Sequence, residues 1–208
     1  MKVLIVGSGG REHAIAWAVS RSNKVKKIYA APGNAGIAEI AECVPIQATQ
    51  VELLAEFARQ REIDLTIVGP ELPLAMGIVD EFQRHGLKCF GPTALAARIE
   101  SSKVWAKQFM KRHGIPTAEF EVFSSLEDAL RYVRARKGHL VIKADGLAAG
   151  KGVVVAEDSA EAEEALRAMM ERRSLGEAGT KVVIEERLEG PEVSVMALCD
   201  GDHVVPLA

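Results

Sequence analysis

The sequence predicts an α/β protein in which an amino-terminal doubly wound parallel sheet is followed by an α+β part. Apolar β-type runs alternate with helical periodicity through the first hundred residues, which implies a parallel sheet with helices on both faces. After Pro116 the pattern changes to antiparallel strands over two helices. Within that second part, Leu140 to Ala156 carries two β-branched runs, Val141-Ile142 and Val153-Val154-Val155, around a loop holding Gly146, Gly150 and Gly152. The divisions expected are 1–100 for the parallel domain, 101–117 for a helical linker, 118–192 for the α+β part and 193–208 for a further core segment.

A chain of 208 residues can bury a full core. Its net charge of −3 gives no reason to expect nucleic acid or an anionic membrane as partner. No apolar run approaches a membrane span, and Met1-Lys2 leads straight into a strand rather than a signal peptide. Cys43, Cys89 and Cys199 are widely spaced, without metal or redox spacing, and read as small apolar residues of a cytoplasmic protein.

The first strand, Lys2-Val3-Leu4-Ile5-Val6, runs into Gly7-Ser8-Gly9-Gly10-Arg11-Glu12-His13, and Ala14, Ile15, Trp17, Ala18 and Val19 follow at helical spacing. Strand, glycine turn and helix form a phosphate cradle, because unpaired N–H groups at the helix start face the turn. A dinucleotide fingerprint would place a third glycine where Glu12 stands and a carboxylate after the second strand. That strand, Lys27 to Ala31, instead ends in Pro32-Gly33-Asn34-Ala35-Gly36. NAD is therefore disfavoured, whereas a smaller phosphorylated ligand remains compatible. A short strand near Cys43 to Ile46 and a helix from about Val51 to Arg61 come next. Strand Asp64 to Val68 then ends in Gly69-Pro70-Glu71, and a helix near Ala75 to His85 precedes Leu87 to Phe90.

Ligands in such sheets bind beyond the carboxyl ends of the strands. Gly9-Gly10-Arg11, Gly33-Asn34 and Gly69-Pro70-Glu71 thus converge on one rim. Each has a plainer alternative: Pro32-Gly33-Asn34 is also turn chemistry, Glu71 a solvated carboxylate, and Arg11 as readily a surface charge as a phosphate contact. His13 reads as a satisfied residue near a helix start rather than a catalyst.

Helices are expected over Thr93 to Glu100 and Ser102 to His113, the second capped by Ser102 and closed by Gly114. Lys103 lies in its first turn, where a cation opposes the macrodipole; the small cost adds weight to an anionic ligand there, and a solvated lysine is the plainer alternative. Strand Phe120 to Phe123 and helix Leu126 to Arg136 precede the glycine loop. Asp158 with Glu161 resembles a capping box opening a helix to about Arg173. Strand Lys181 to Glu185 follows, and strands Val193 to Cys199 and His203 onward are joined at Asp200-Gly201-Asp202.

The glycine loop is not a P-loop. Gly146 and Gly150 are separated by three residues rather than four, Gly152 rather than Ser or Thr follows Lys151, and valines rather than a helix come next. Strand–loop–strand geometry brings Lys143 and Lys151 to a loop able to contact a polyphosphate. An ordinary Gly-rich hairpin with two solvated lysines fits the same residues.

The combination is more specific than any part. Gly-Ser-Gly-Gly-Arg-Glu-His-Ala at 7–14, Ala-Pro-Gly-Asn-Ala-Gly at 31–36, Ile-Val-Gly-Pro-Glu at 67–71, the 142–152 loop and Val-Ile-Glu-Glu-Arg-Leu-Glu-Gly-Pro-Glu at 183–192 resemble the ATP-grasp ligases. Within them they resemble the glycinamide ribonucleotide synthetase family. The resemblance implies a pre-ATP-grasp sheet followed by an ATP-grasp lid, and an ATP-dependent ligase acting on glycine and 5-phosphoribosylamine through a glycyl phosphate in purine synthesis. It implies ATP phosphates on Lys103 and Lys143, with Gly146, Gly150, Lys151 and Gly152 closing over them. Glu185, Glu186 and the backbone near Leu188 would face the adenine, and Glu192 the ribose hydroxyls. Gly9, Gly10, Arg11, Gly33, Asn34 and Glu71 would hold the phosphoribosylamine. The family's chain continues past residue 208, and its Mg²⁺ and glycine ligands are expected there, so no metal ligand or catalytic residue is assigned. The alternatives are another ATP-grasp carboxylate–amine ligase and a non-catalytic nucleotide-binding module.

Overall fold

The computed structural model describes residues 1–136, 139–148 and 150–207. Five parallel strands form the first sheet in the order β3-β2-β1-β4-β5. They are β1 (Lys2–Gly7), β2 (Lys27–Pro32), β3 (Glu42–Cys43), β4 (Leu65–Val68) and β5 (Cys89–Phe90). β1 is central and buried on both faces, which is why its sequence is a continuous apolar run instead of an alternating one. Leu4 and Val6 pack with Leu54 and Ala58 of helix α2 (Val51–Gln60) and with Ile78 and Phe82 of helix α4 (Ile78–Arg84). Val3 and Ile5 point the other way, to Ala16 of helix α1 (Gly10–Ser20) and to Ile37. Among the described residues no helix is long and apolar enough to cross a membrane.

Several elements differ from expectation. The helix expected near Ala75 to His85 is two: α3 (Glu71–Ala75) and α4, separated at Gly77, whose φ of +88° an α-helix cannot continue through. Glu71 accordingly opens a helix and is not a loop residue. The third strand pairs only over Glu42–Cys43, with Val44 N–H donating to Ala30 as the chain leaves the sheet. The last hairpin, β10 (Ala197–Cys199) with β11 (Val204–Pro206), begins four residues later than Val193. Its turn is set by the Asp200 carboxylate, which accepts N–H bonds from Asp202 and His203 at 3.0 and 2.7 Å.

Two helices bridge the sheets, α5 (Ala94–Ser101) and α6 (Lys103–His113). The ends of α6 follow from its sequence. Ser102 Oγ accepts from Trp105 N–H at 3.1 Å, and Gly114 takes a left-handed φ of +65°. Beyond them a four-stranded antiparallel sheet runs β6-β9-β7-β8, formed by β6 (Phe120–Phe123), β7 (Leu140–Ala144), β8 (Val153–Ala156) and β9 (Val182–Glu186). Asp158 caps helix α8 (Ser159–Leu166) through Glu161 N–H, but the Glu161 carboxylate returns to Glu157 N–H, one residue before a capping box would place it. Past Leu166 the helix widens into a π-turn over Arg167–Glu171, short of the expected Arg173.

The alternation of this sheet sorts its chemistry. Leu140, Ile142, Ala144, Val182 and Ile184 face helix α7 (Leu126–Ala135) and α8 in one core. Val141, Lys143, Val183 and Glu185 occupy the opposite face, since successive side chains alternate.

Candidate functional site

The second sheet's outer face, α6 and the glycine loop enclose a run of adjoining clefts. One cavity of about 530 Å³ lies among Lys103, Lys107, Met110, Lys143, Glu185 and Leu188. A second, about 640 Å³, shares Lys143, Val153, Glu185 and Leu188 and extends to Val141, Val155, Glu186 and Glu192. A third, about 670 Å³, shares Lys103 and Val153 and reaches Gly150, Gly152 and, on the first domain, Glu71. Most residues expected on the nucleotide side therefore line one trough with apolar walls and cationic groups. Lys151 is exposed and lies outside these linings; Ala149 of the expected loop lies outside the described residues.

Each loop glycine has a physical reason. Gly146 and Gly150 have φ of +107° and +79°, where an L side chain is strained. At Gly152 a Cβ would come within 2.8 Å of Ala148 Cβ. The base of the loop is fixed by Ala144 N–H to Gly152 C=O at 2.8 Å and Asp145 N–H to Lys181 C=O at 2.9 Å.

Asp145 has a function that the sequence does not display. Its carboxylate accepts from Ser102 Oγ at 3.0 Å and from Val104 N–H at 3.1 Å, so the loop caps α6 across the domain join. This revises the macrodipole argument for Lys103, because the anion at that helix start is supplied by the protein. Lys103 Nζ donates to Gly146 C=O at 3.0 Å and borders the trough.

The charged centre is a triad of two lysines on one carboxylate. Glu185, only 5% exposed, receives Lys143 Nζ on Oε1 at 2.9 Å and Lys107 Nζ on Oε2 at 3.0 Å. Lys107 is absent from the expected set. Its one sequence signal is its place four residues after Lys103 on the same helical face, a pattern equally suited to solvent. Glu186 is partly committed, its Oε1 accepting from Glu119 N–H at 2.9 Å. Leu188 is exposed on the trough wall.

The rim of the first domain does converge, with a different economy of bonds from an open cradle. Glu12 folds back and accepts from Gly9 N–H at 2.6 Å, filling the place where a phosphate would meet that group. A Cβ at Gly69 would overlap the Glu12 carboxylate, which explains that glycine. Nothing approaches a Cβ built on Gly10, so its small size is not a packing requirement. Arg11 Nη1 donates to Gly69 C=O at 2.7 Å and to Glu71 Oε1 at 3.1 Å. Glu71 is held below the usual carboxylate range by its own backbone N–H and then by the Arg11 guanidinium. Asn34 Nδ2 donates to Ser8 C=O at 2.8 Å while its Oδ1 accepts from Ile37 N–H, and Gly33 sits at φ +72° against Cys43. His13 packs over Gly36. These side chains tie three strand ends together, leaving the outer edges of Arg11 and Glu71 facing solvent.

Among the described residues no group of three or more His, Cys, Asp or Glu is placed to hold a metal ion. The described residues thus offer no cluster of oxygen donors that fits Mg²⁺.

Residues 1–100 match the family model for the phosphoribosylglycinamide synthetase N domain, and residues 101–208 that for its ATP-grasp (A) domain. A phosphoribosylamine–glycine ligase of Caldanaerobacter subterraneus is 54% identical over all of this chain, which spans 50% of that protein. The corresponding protein of Escherichia coli is 51% identical, again over 100% of this chain and 49% of its own length. The crystal structure of a phosphoribosylamine–glycine ligase from Thermotoga maritima superposes with a TM-score of 0.81 at 34% identity, covering 100% of this chain and 49% of that one. A biotin carboxylase from Campylobacter jejuni shares the fold at 20% identity and a TM-score of 0.74, over 99% of this chain and 49% of its own. The chain thus spans about half the length of the curated relatives it matches.

Proposed function

Because this chain belongs to the phosphoribosylglycinamide synthetase family, we propose that it supplies the amine-substrate domain and the nucleotide lid of an ATP-dependent ligase. That enzyme joins glycine to 5-phosphoribosylamine in the cytoplasm. The terminal phosphoryl group of ATP passes to the glycine carboxylate, the amine displaces phosphate from the acyl phosphate, and an amide forms. Catalysis of this kind rests on positioning and neutralisation of phosphoryl charge more than on a general base. Lys143 and Lys103 meet the phosphates, with Gly146, Gly150, Lys151 and Gly152 over them. Val141, Val153, Val155 and Leu188 offer apolar surface to the purine. Glu185, Glu186 and the backbone at Leu188 serve its edge, and Glu192 the ribose diol. At the other end of the trough, Gly9, Gly10, Arg11, Gly33, Asn34 and Glu71 form the phosphoribosylamine side. We assign residues 1–100 to that domain, 101–117 to the linker, 118–192 to the lid and 193–208 to the start of the ligase core.

The observation that carries this proposal is the Lys143 ammonium on the sheet's solvent face, 2.9 Å from a buried carboxylate and bordering two clefts. Calorimetry with ATP tests it. A charge-assisted contact is typically worth about 1.5–3 kcal/mol, so Lys143→Ala is expected to weaken ATP binding by about tenfold to a hundredfold. Lys24→Ala, at an exposed residue outside the trough, is expected to leave ATP binding unchanged; equal effects of the two variants would remove Lys143 from the site.

A further inference from the structure

We propose that Lys107 is a positioning residue, whose hold on the second oxygen of Glu185 frees Lys143 to turn from that carboxylate toward a bound phosphate. The proposal rests on the nucleotide-binding role given to the trough above.

The two lysines of the triad are not equivalent. Lys107 is 6% exposed, and its three N–H donors have three acceptors: Glu185 Oε2 at 3.0 Å, Thr117 Oγ1 at 2.7 Å and Ala118 C=O at 3.2 Å. The ring of Phe120 lies 5.3 Å from its nitrogen. An ammonium held by two hydrogen bonds and an ion pair, with little solvent access, has no better place to go. Lys143 is the reverse case: its side chain is 28% exposed, it faces the trough, and Glu185 Oε1 is its one polar partner among the described residues.

Were Lys143 alone on Glu185, moving it to a phosphate would strand a buried carboxylate, and such groups strongly resist being left without a counter-charge. Lys107 removes that penalty. Two ammonium groups on one carboxylate also carry a net positive charge, which favours departure of the less tethered one when an anion arrives. Lys107 thereby acts through Lys143 and needs no contact with the nucleotide.

The experiment is trace acetylation of amines in the 208-residue chain, with Lys143 modification read by mass spectrometry beside the unfolding midpoint of each variant. In Lys107→Met, Glu185 has only Lys143 to pair with, so Lys143 labelling is expected to fall about threefold. In Glu185→Gln both lysines lose their anion, and Lys143 labelling is expected to rise. A merely structural role for Lys107 predicts the opposite sign in Lys107→Met, because a loosened pocket exposes its neighbours; a rise or no change there overturns the proposal. Should Lys107→Met not fold, the wild-type chain decides by ammonium proton exchange in ¹⁵N-lysine spectra. Slow exchange at Lys107 with fast exchange at Lys143 supports the proposal, and the reverse order overturns it. Protection of wild-type Lys143 by added ATP is scored separately. No protection, with the variant effects intact, would sink the nucleotide assignment without touching the coupling of the two lysines.

Discussion

Replacing Asp145 by alanine removes the one carboxylate through which the glycine loop grips the start of α6. Two bonds are lost, from Ser102 Oγ at 3.0 Å and Val104 N–H at 3.1 Å. Removing a helix N-terminal acceptor costs about 0.5–2 kcal/mol, and a negative charge at that end contributes about 0.3–1 kcal/mol more. Water can reach this half-buried site and compensates in part, so a loss of about 2 kcal/mol is expected for Asp145→Ala. Asp145→Asn keeps an acceptor and gives up the charge, which should reduce the loss to about 1 kcal/mol. Urea unfolding followed by circular dichroism measures both, as a lower midpoint at constant slope. The Ser102 cap on Trp105 N–H is independent of Asp145, so α6 itself should persist. An Asp145→Ala midpoint within about 0.5 kcal/mol of wild type would mean that loop and helix are not joined in this way.

Among the described residues Thr66 Oγ1 is buried without a hydrogen-bond partner, so Thr66→Val, which keeps the shape, is expected to raise stability by about 1 kcal/mol; a lower urea midpoint would contradict this. Gly69→Ala drives a methyl group into the Glu12 carboxylate and should cost about 2 kcal/mol. Much of that should be recovered in the Gly69→Ala/Glu12→Ala double variant, and strictly additive losses would show that the two do not touch. Burial pushes the Cys89 thiol up to about 12, while Cys199 is exposed. At pH 8 a thiolate-specific reagent should modify Cys89 at least about a hundredfold more slowly than Cys199. The unfolded chain ionises this thiol first, so Cys89 withdraws stability as pH climbs past the ordinary thiol range, and Cys89→Ala should flatten that alkaline decline.

What could be read from the sequence was local. The buried run of β1, the Ser102 and Gly114 ends of α6 and the Asp158 cap each depend on neighbours within a few residues. The glycines of the 146–152 loop also announce themselves, because positive φ is a property of single positions. What could not be read depends on distant partners. Asp145 is 41 residues from Val104, and Lys107 meets a carboxylate on a strand 78 residues later. Glu12 looked like a missing glycine because a fingerprint compares residue types at fixed spacing, whereas the fold supplies a carboxylate that bends back onto Gly9 N–H. The start of α3 at Glu71 was hidden because Gly69-Pro70-Glu71 reads as a strand-end turn, although Pro70 stands just before the helix and a first helical turn tolerates the proline at 73.

The pairing of β7 with β9 has a consequence for how this protein can vary. Ile142 opposite Ile184 and Lys143 opposite Val183 fix the frame through the apolar layer beneath, and Ala144 opposite Val182 and Asp145 N–H on Lys181 C=O extend it to the base of the loop. A length change among residues 146–151 would leave that register intact but displace the positive-φ glycines and the Gly146 carbonyl that receives Lys103. A single-residue deletion inside β7 would instead invert the ribbon, sending a charge into the oil and an isoleucine into water. The spacing of residues along β7 is therefore the feature that variation can least afford to change.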